Sequence, residues 1–260
     1  MFQTDVLVIG SGIAGLTFAL KTARALPEKK IAIITKGGES ESNTKYAQGG
    51  VAVVLHKEDS FEQHVQDTLR AGQGKSDERI VRMVVEEAPF WFGEMVQWGI
   101  DFDRNNSGEY DLGMEGGHSA NRIVHHKDIT GFEVEKKLLQ QIRQASNISI
   151  FPHYFAIDLI TEHHLGEVAQ APDKPATCYG AYVLTPDGKI EKFLSRITML
   201  ASGGIGQVYS NTTNPAIATG DGIAMAYRAG AKIQDVVDLK DVVGPRFLTD
   251  AACIAPIDVG

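Results

Sequence analysis

Little in this sequence can staple a fold. It has two cysteines in 260 residues, Cys178 and Cys253, far apart and without the Cys-x-x-Cys or Cys/His spacing of a zinc site. A disulfide scaffold is excluded, and the usage suits a reducing compartment. Positive charge is also short: 25 Lys and Arg stand against 33 Asp and Glu, a formal charge of −8. Such a chain has no excess of cations to exchange for the counterions of nucleic acid or an anionic membrane, so neither is expected as a partner. Long apolar runs are missing as well. The uncharged stretch from Val6 to Leu20 is shorter than the ~20 residues of a membrane span, and it follows Asp5 rather than the basic region of a signal peptide. The stretch from Ile197 to Gly220 is rich in Gly, Asn, Thr and Ser. The chain reads as soluble and cytoplasmic, with length for one or two domains at ~150 residues each.

Glycine is the residue in excess, with 27 copies against a typical share of ~7 %. The first cluster is Gly10-Ser11-Gly12-Ile13-Ala14-Gly15. It follows the β-branched run Asp5 to Ile9, precedes an Ala/Leu-rich helical pattern to about Leu26, and is followed by a second strand over Lys30 to Thr35. In a strand, turn, helix, strand frame this is the dinucleotide fingerprint. The first glycine makes the tight turn, the second admits a pyrophosphate to the backbone, and the third lets helix and strand pack closely. The acidic residue expected some twenty positions later is absent. Lys36 stands there instead, and it fits either the 2′-phosphate of NADP or the ribose and pyrophosphate of FAD.

The following loop, Ser42 to Gly50, contains Asn43, Thr44, Lys45, Tyr46, Ala47, Gln48, Gly49 and Gly50. It resembles the second flavin-contacting loop of the succinate dehydrogenase and fumarate reductase flavoprotein superfamily, and within it the L-aspartate oxidases. The resemblance implies FAD, lying along this loop. Respiratory members bond FAD covalently through a histidine; the matching position is Asn43, so noncovalent FAD is expected. Glu115-Gly-Gly-His118-Ser119, followed by Arg122 and by Asp128-Ile-Thr-Gly131, resembles a segment typical of L-aspartate oxidases. By themselves these residues offer a carboxylate, an imidazole, a hydroxyl and a guanidinium within a short span, a set able to grip a zwitterion. The resemblance implies Glu115 facing the α-ammonium of aspartate, with His118 and Arg122 as further catalytic candidates. A salt bridge between Glu115 and Arg122 is the purely structural alternative.

A third signature is Ala201-Ser202-Gly203-Gly204-Ile-Gly206, after the strand-like Ile197 to Leu200, with Thr219-Gly-Asp221-Gly further on. The resemblance places Ser202, Gly203, Gly204 and Asp221 at the cofactor. Asp221 also suits the start of a helix as a charge favoured by the dipole. The adjacent pairs His125-His126 and His163-His164 do not point at one metal, and none is expected.

Between the signatures, Ser60-Phe-Glu-Gln63 reads as a capping box for a helix ending near Gly72. Glu78 to Trp98 is helical, with Pro89 expected to start a second helix, and Phe90, Trp91, Phe92 and Trp98 expected in the core. Thr130-Gly-Phe-Glu133 reads as a second capping box for a helix to about Gln144. Asn147 to Phe151 reads as a strand, Cys178 to Phe193 as a hairpin about Pro186-Asp-Gly188, and Gly166 to Pro175 as a surface loop.

The expected fold class is α/β: a Rossmann-like FAD-binding domain with a parallel sheet, helical insertions and a β-hairpin or meander, over residues 1–235. Residues 236–260 form a divergent tail. The superfamily's Phe-His-Pro-Thr run, capping domain and carboxylate-binding arginines have no match in this sequence, and Arg246 lies in no matching motif. The chain therefore reads as a truncated or altered member. The resemblance implies FAD-dependent oxidation of L-aspartate to iminoaspartate, the first step of NAD biosynthesis. A hydride leaves Cα for the flavin, oxygen or fumarate reoxidises it, and the product passes to quinolinate synthase. A soluble fumarate reductase or succinate oxidase, and a chain that binds FAD without turnover, are the alternatives.

Overall fold

The computed structural model describes residues 1–165 and 177–233. The loop expected at Gly166 to Pro175 and the tail 236–260 lie outside the described residues. The chain forms two compact units, Met1–Lys45 with Leu138–Gly260, and Tyr46–Lys137. It opens with β1 (Phe2–Gln3), β2 (Val6–Ile9), α1 (Ile13–Ala25), β3 (Ile31–Thr35) and the single turn α2 (Asn43–Tyr46). The second unit contains β4 (Val51–Ala52), α3 (Phe61–Ala71), α4 (Glu78–Gln97), β5 (Leu112–Gly113) and β6 (Ile123–Val124). After α5 (Thr130–Gln144) come β7 (Ile148–Pro152), β8 (Phe155–Ile160), β9 (Gly180–Leu184), β10 (Ile190–Leu194), β11 (Ile197–Leu200) and α6 (Asp221–Arg228).

In the first unit a four-stranded parallel sheet has the order β11-β2-β3-β7. Its two central strands are buried along their whole length, which is why they read as unbroken β-branched runs rather than alternating ones. Leu7, Ile9, Ala32 and Ile34 form a core with Ala156, Leu159, Ala181, Val183 and Phe193 from the antiparallel strands β8, β9 and β10. Those three strands are the expected meander, with β1 added in parallel to its edge. The fold class is as read from the sequence: mixed α/β with a parallel sheet, helices and an antiparallel element.

In the second unit α3 packs on α4, and a small antiparallel sheet has the order β4-β6-β5. Ser60 caps α3, its hydroxyl accepting from Gln63 N–H at 3.1 Å. The reciprocal half of the capping box is not made, because the Gln63 amide donates to Ser119 Oγ and Ser60 N–H goes to Asp59. Three expectations need correction. Pro89 does not start a new helix but lies inside α4; Val85 and Phe92, buried on the two sides of it, hold the helix together across the lost hydrogen bond. Thr130 does not cap Glu133: its hydroxyl accepts from His126 N–H at 2.9 Å, while Glu133 N–H bonds Ile129 C=O. Of the four aromatics expected in the core, Phe92 and Trp98 are buried, whereas Phe90 is 64 % exposed and Trp91 is also exposed, on the outer side of the helix.

Candidate functional site

A cleft of about 270 Å3 opens in the first unit, near the lower end of the ~300–1,000 Å3 range of small-molecule sites. It lies outside the carboxyl ends of β2, β3 and β11. The chain leaves β2 toward β3 on one side, while β11 pairs on the other. The strand order reverses between them, and ligands of open α/β sheets bind at such a crevice.

The glycines of the first signature divide by what surrounds them. Gly10 has φ +116°, and a Cβ there would lie 2.1 Å from the carbonyl oxygen of Ala201. A Cβ on Gly15 would lie 2.1 Å from the carbonyl oxygen of Gly10. Both glycines are demanded by the protein's own packing. Gly12 is different: its backbone is extended, with φ −74°, and the nearest atom to a Cβ there is Thr44 Oγ1 at an ordinary 3.5 Å. A side chain at position 12 would thus touch Thr44 and Ser42 at ordinary contact distances without a clash, so the protein's own packing does not demand glycine there. Gly203 and Gly204 also line the cleft, with nothing within 4 Å of a Cβ at either.

The polar atoms make a matching case. Gly12 is the N-cap of α1 and supplies no side-chain cap, and the first turn holds no acidic residue. Gly12, Ile13 and Ala14 line the cleft, so the positive end of the helix dipole, with no acidic residue against it, borders the cleft, as a diphosphate requires. Ile13 N–H donates to Thr44 Oγ1 at 3.0 Å, tying the helix start to the second loop. Ser11 is buried, and its hydroxyl donates to Thr35 Oγ1 at 3.1 Å. Asn43 donates through Nδ2 to Asn214 Oδ1 at 2.9 Å, while its own buried Oδ1 has no protein partner. A buried acceptor left unmade costs about 1–3 kcal/mol, and this one is at the cleft. The Lys36 ammonium lies on Asp221 and on Thr219 Oγ1, so its charge is balanced within the cleft wall. Asp221 is the first residue of α6, after Gly220 in the left-handed region.

Of the other residues expected at the cofactor, Ser202 lines the cleft and Lys45 does not. Tyr46, Ala47, Gln48, Gly49 and Gly50 belong to the second unit. There a Cβ on Gly50 would lie 2.2 Å from Val124 C=O, and one on Gly49 3.1 Å from Glu115 Oε1. Tyr154, Phe155 and Ala156 line the cleft without having been singled out; they form an ordinary strand entry and carry no local signal.

The second unit gathers Glu115, His118 and Arg122. Glu115 is exposed and starts a turn closed by His118 N–H on Glu115 C=O at 3.2 Å, with Gly117 at φ +90°. Arg122 departs from expectation. It is 0 % exposed and pairs with neither Glu115 nor an open surface. Its Nε and Nη2 donate to Asp59 at 2.8 and 2.7 Å, and its Nη1 donates to Asp67 at 2.8 Å. A guanidinium so enclosed is part of the framework, a correction to its reading as a ligand-gripping group. Asp67 also accepts from Ser119 N–H at 2.9 Å and from its hydroxyl at 2.5 Å. Burial works against the Asp67 charge, but the bonds from Ser119 and Arg122 outweigh it and hold the carboxyl at about 2. Asp59 is lowered in the same way: burial opposes its charge, and Arg122 with Ser60 N–H overcomes that. His64, buried beside this cluster, is pushed toward its neutral form by burial and then by Arg122. Asp59 and Asp67 escaped sequence reading; the available signal was an aspartate, Asp67, on the buried side of α3.

The FAD binding domain family matches residues 5–240. The chain belongs to that family. This FAD-binding chain is 48 % identical over 233 residues to the chloroplastic L-aspartate oxidase of Oryza sativa subsp. japonica, a match covering 89 % of the chain and 34 % of the relative. It is 45 % identical over 241 residues to the L-aspartate oxidase of Pseudomonas aeruginosa, covering 89 % and 43 %. Its fold matches a quinol fumarate reductase of E. coli with a TM-score of 0.79 and 31 % identity, over 87 % of this chain and 37 % of that one. The chain thus spans between about a third and two fifths of the length of the relatives it matches. FAD is the cofactor, and the cleft fits it: open space at Gly203 and Gly204, a helix start whose glycine is not required by the protein's own packing, and a buried acceptor without a protein partner. Among the described residues no helix is long and apolar enough to cross a membrane.

Proposed function

We propose that the chain serves FAD-dependent oxidation of L-aspartate to iminoaspartate. The observation that carries this reading is the identity of 45–48 % to L-aspartate oxidases over 89 % of the chain. When bound, FAD supplies the two-electron oxidant, with oxygen or fumarate as the final acceptor. The chain's own residues bind and orient. Gly12 and the start of α1 hold the diphosphate, and the Asn43 amide accepts a hydrogen bond from the cofactor without a covalent link. In the second unit the exposed Glu115 carboxylate meets the α-ammonium of aspartate and sets its direction, a task succinate does not pose. His118 meets a substrate carboxylate. Iminoaspartate passes to quinolinate synthase, in the cytoplasm.

The test is anaerobic mixing of the FAD-loaded 260-residue chain with either substrate. Loss of flavin absorbance with L-aspartate and not succinate is expected, and Glu115→Gln should weaken aspartate by about tenfold or more, the equivalent of ~1.4 kcal/mol. Reduction by succinate alone would favour the fumarate reductase reading, which the 31 % identity to such an enzyme supports. FAD bound but reduced by neither would leave the cofactor-binding reading.

A further inference from the structure

We propose that Arg122 is a positioning residue that fixes the tautomer of His118. It faces a lone pair of this half-buried imidazole at Nδ1 and leaves the ring N–H on Nε2, so that His118 offers a hydrogen-bond donor to a ligand oxygen. A guanidinium has only donors. Arg122 Nη1 lies 3.3 Å from His118 Nδ1, and that approach is favourable only when Nδ1 carries a lone pair. The Nδ1–H tautomer and the imidazolium would each set an N–H against an N–H.

Arg122 has no room to turn aside. Its Nε and Nη2 are held by Asp59 and its Nη1 also by Asp67, and the side chain is fully enclosed. Asp67 binds Ser119 through both N–H and hydroxyl, so the same carboxylate that holds the guanidinium anchors the residue after His118. The geometry therefore sets a direction of donation. A neutral Nε2–H donates to a carboxylate oxygen and has no lone pair with which to take a proton at Nε2, so His118 binds substrate oxygen and is not a base at that atom. This last step rests on the proposed function; the tautomer does not.

The test uses the 260-residue chain loaded with FAD and labelled with 15N-histidine. Two-bond 1H–15N correlations are recorded near neutral pH, and His118 is assigned by the signals missing in His118→Gln. The expected spectrum has Nδ1 at the shift of an unprotonated ring nitrogen and Nε2 at that of a protonated one. Finding the Nδ1–H tautomer or the imidazolium instead would overturn the proposal. In Arg122→Lys the ammonium lacks the planar fork, and the two nitrogen shifts should move toward averaged values. A folded Arg122→Lys with the wild-type pattern also overturns it; if that variant does not fold, the wild-type spectrum decides. Addition of L-aspartate should then displace the Nε2–H resonance. An unmoved resonance with the tautomer intact would count against the substrate contact of His118 and leave the role of Arg122 standing.

Discussion

At the scale of single residues, the glycines of the first signature separate folding from binding. Gly10 and Gly15 face backbone oxygens 2.1 Å from where a Cβ would sit, so alanine at either forces the turn or helix α1 to move. Gly15→Ala should cost about 1–3 kcal/mol of stability, read from urea unfolding, whether or not FAD is present. The Asp67 carboxylate gives a second residue-level expectation. Its value of about 2 in the folded chain lies below the ordinary 3.8. A carboxyl lowered on folding adds stability that is complete above about pH 4 and is lost as pH falls through about 2. The stability difference between wild type and Asp67→Asn should therefore shrink between pH 5 and pH 2.5. A difference that stays constant across that range would show that the Asp67 charge is not what matters. Replacing Arg122 with Met should cost more, about 3–5 kcal/mol, because two buried carboxylates lose the guanidinium between them and Asp67 is left with only the exposed Arg70 as counter-charge.

Elements show where sequence reading succeeds and where it stops. The turn from β2 into α1 was legible because each glycine there has a steric reason, and the central strands because burial on both faces leaves only apolar choices. The hairpin of β9 and β10 was legible from Pro186-Asp-Gly188, where Gly188 has φ +79°. Helix α4 was not, since the local rule that proline begins a helix was overridden by the packing of Val85 and Phe92 on either side of Pro89. Capping was half legible: Ser60 does cap α3, but the Gln63 side chain is drawn to Ser119, a contact distant in sequence. Ser60→Ala should cost about 1 kcal/mol, measured as a fall in the urea midpoint with an unchanged m-value. No change in midpoint would mean that Asp59, which receives Ser60 N–H, already holds the helix start. The candidate site follows the same division. Its backbone cradle was readable from glycine spacing, whereas the placing of Arg122 between Asp59 and Asp67 depends on partners 55 and 63 residues away.

For the whole molecule, the composition takes on a definite meaning. The glycine excess supplies the loops around the cleft at Gly10 to Gly15 and Gly203 to Gly204, and a close approach to Val124 at Gly50 in the second unit. The shortage of cysteine is consistent with a core held by apolar packing between the parallel sheet and the meander. Because FAD binds the folded chain, it should stabilise it by ~2.7 kcal/mol at a hundred times its dissociation constant, seen as a rise in melting temperature that depends on FAD concentration. The central claim is that glycine at position 12, which the protein's own packing does not demand, serves the cofactor. It is tested most directly by titrating FAD into the wild-type chain and into Gly12→Ala, with the melting temperature of each apoprotein measured alongside. The expected result is one-to-one binding to wild type, at least tenfold weaker binding to Gly12→Ala, about 1.4 kcal/mol or more, and matching apoprotein melting temperatures. Equal FAD affinity in the two proteins would contradict the account.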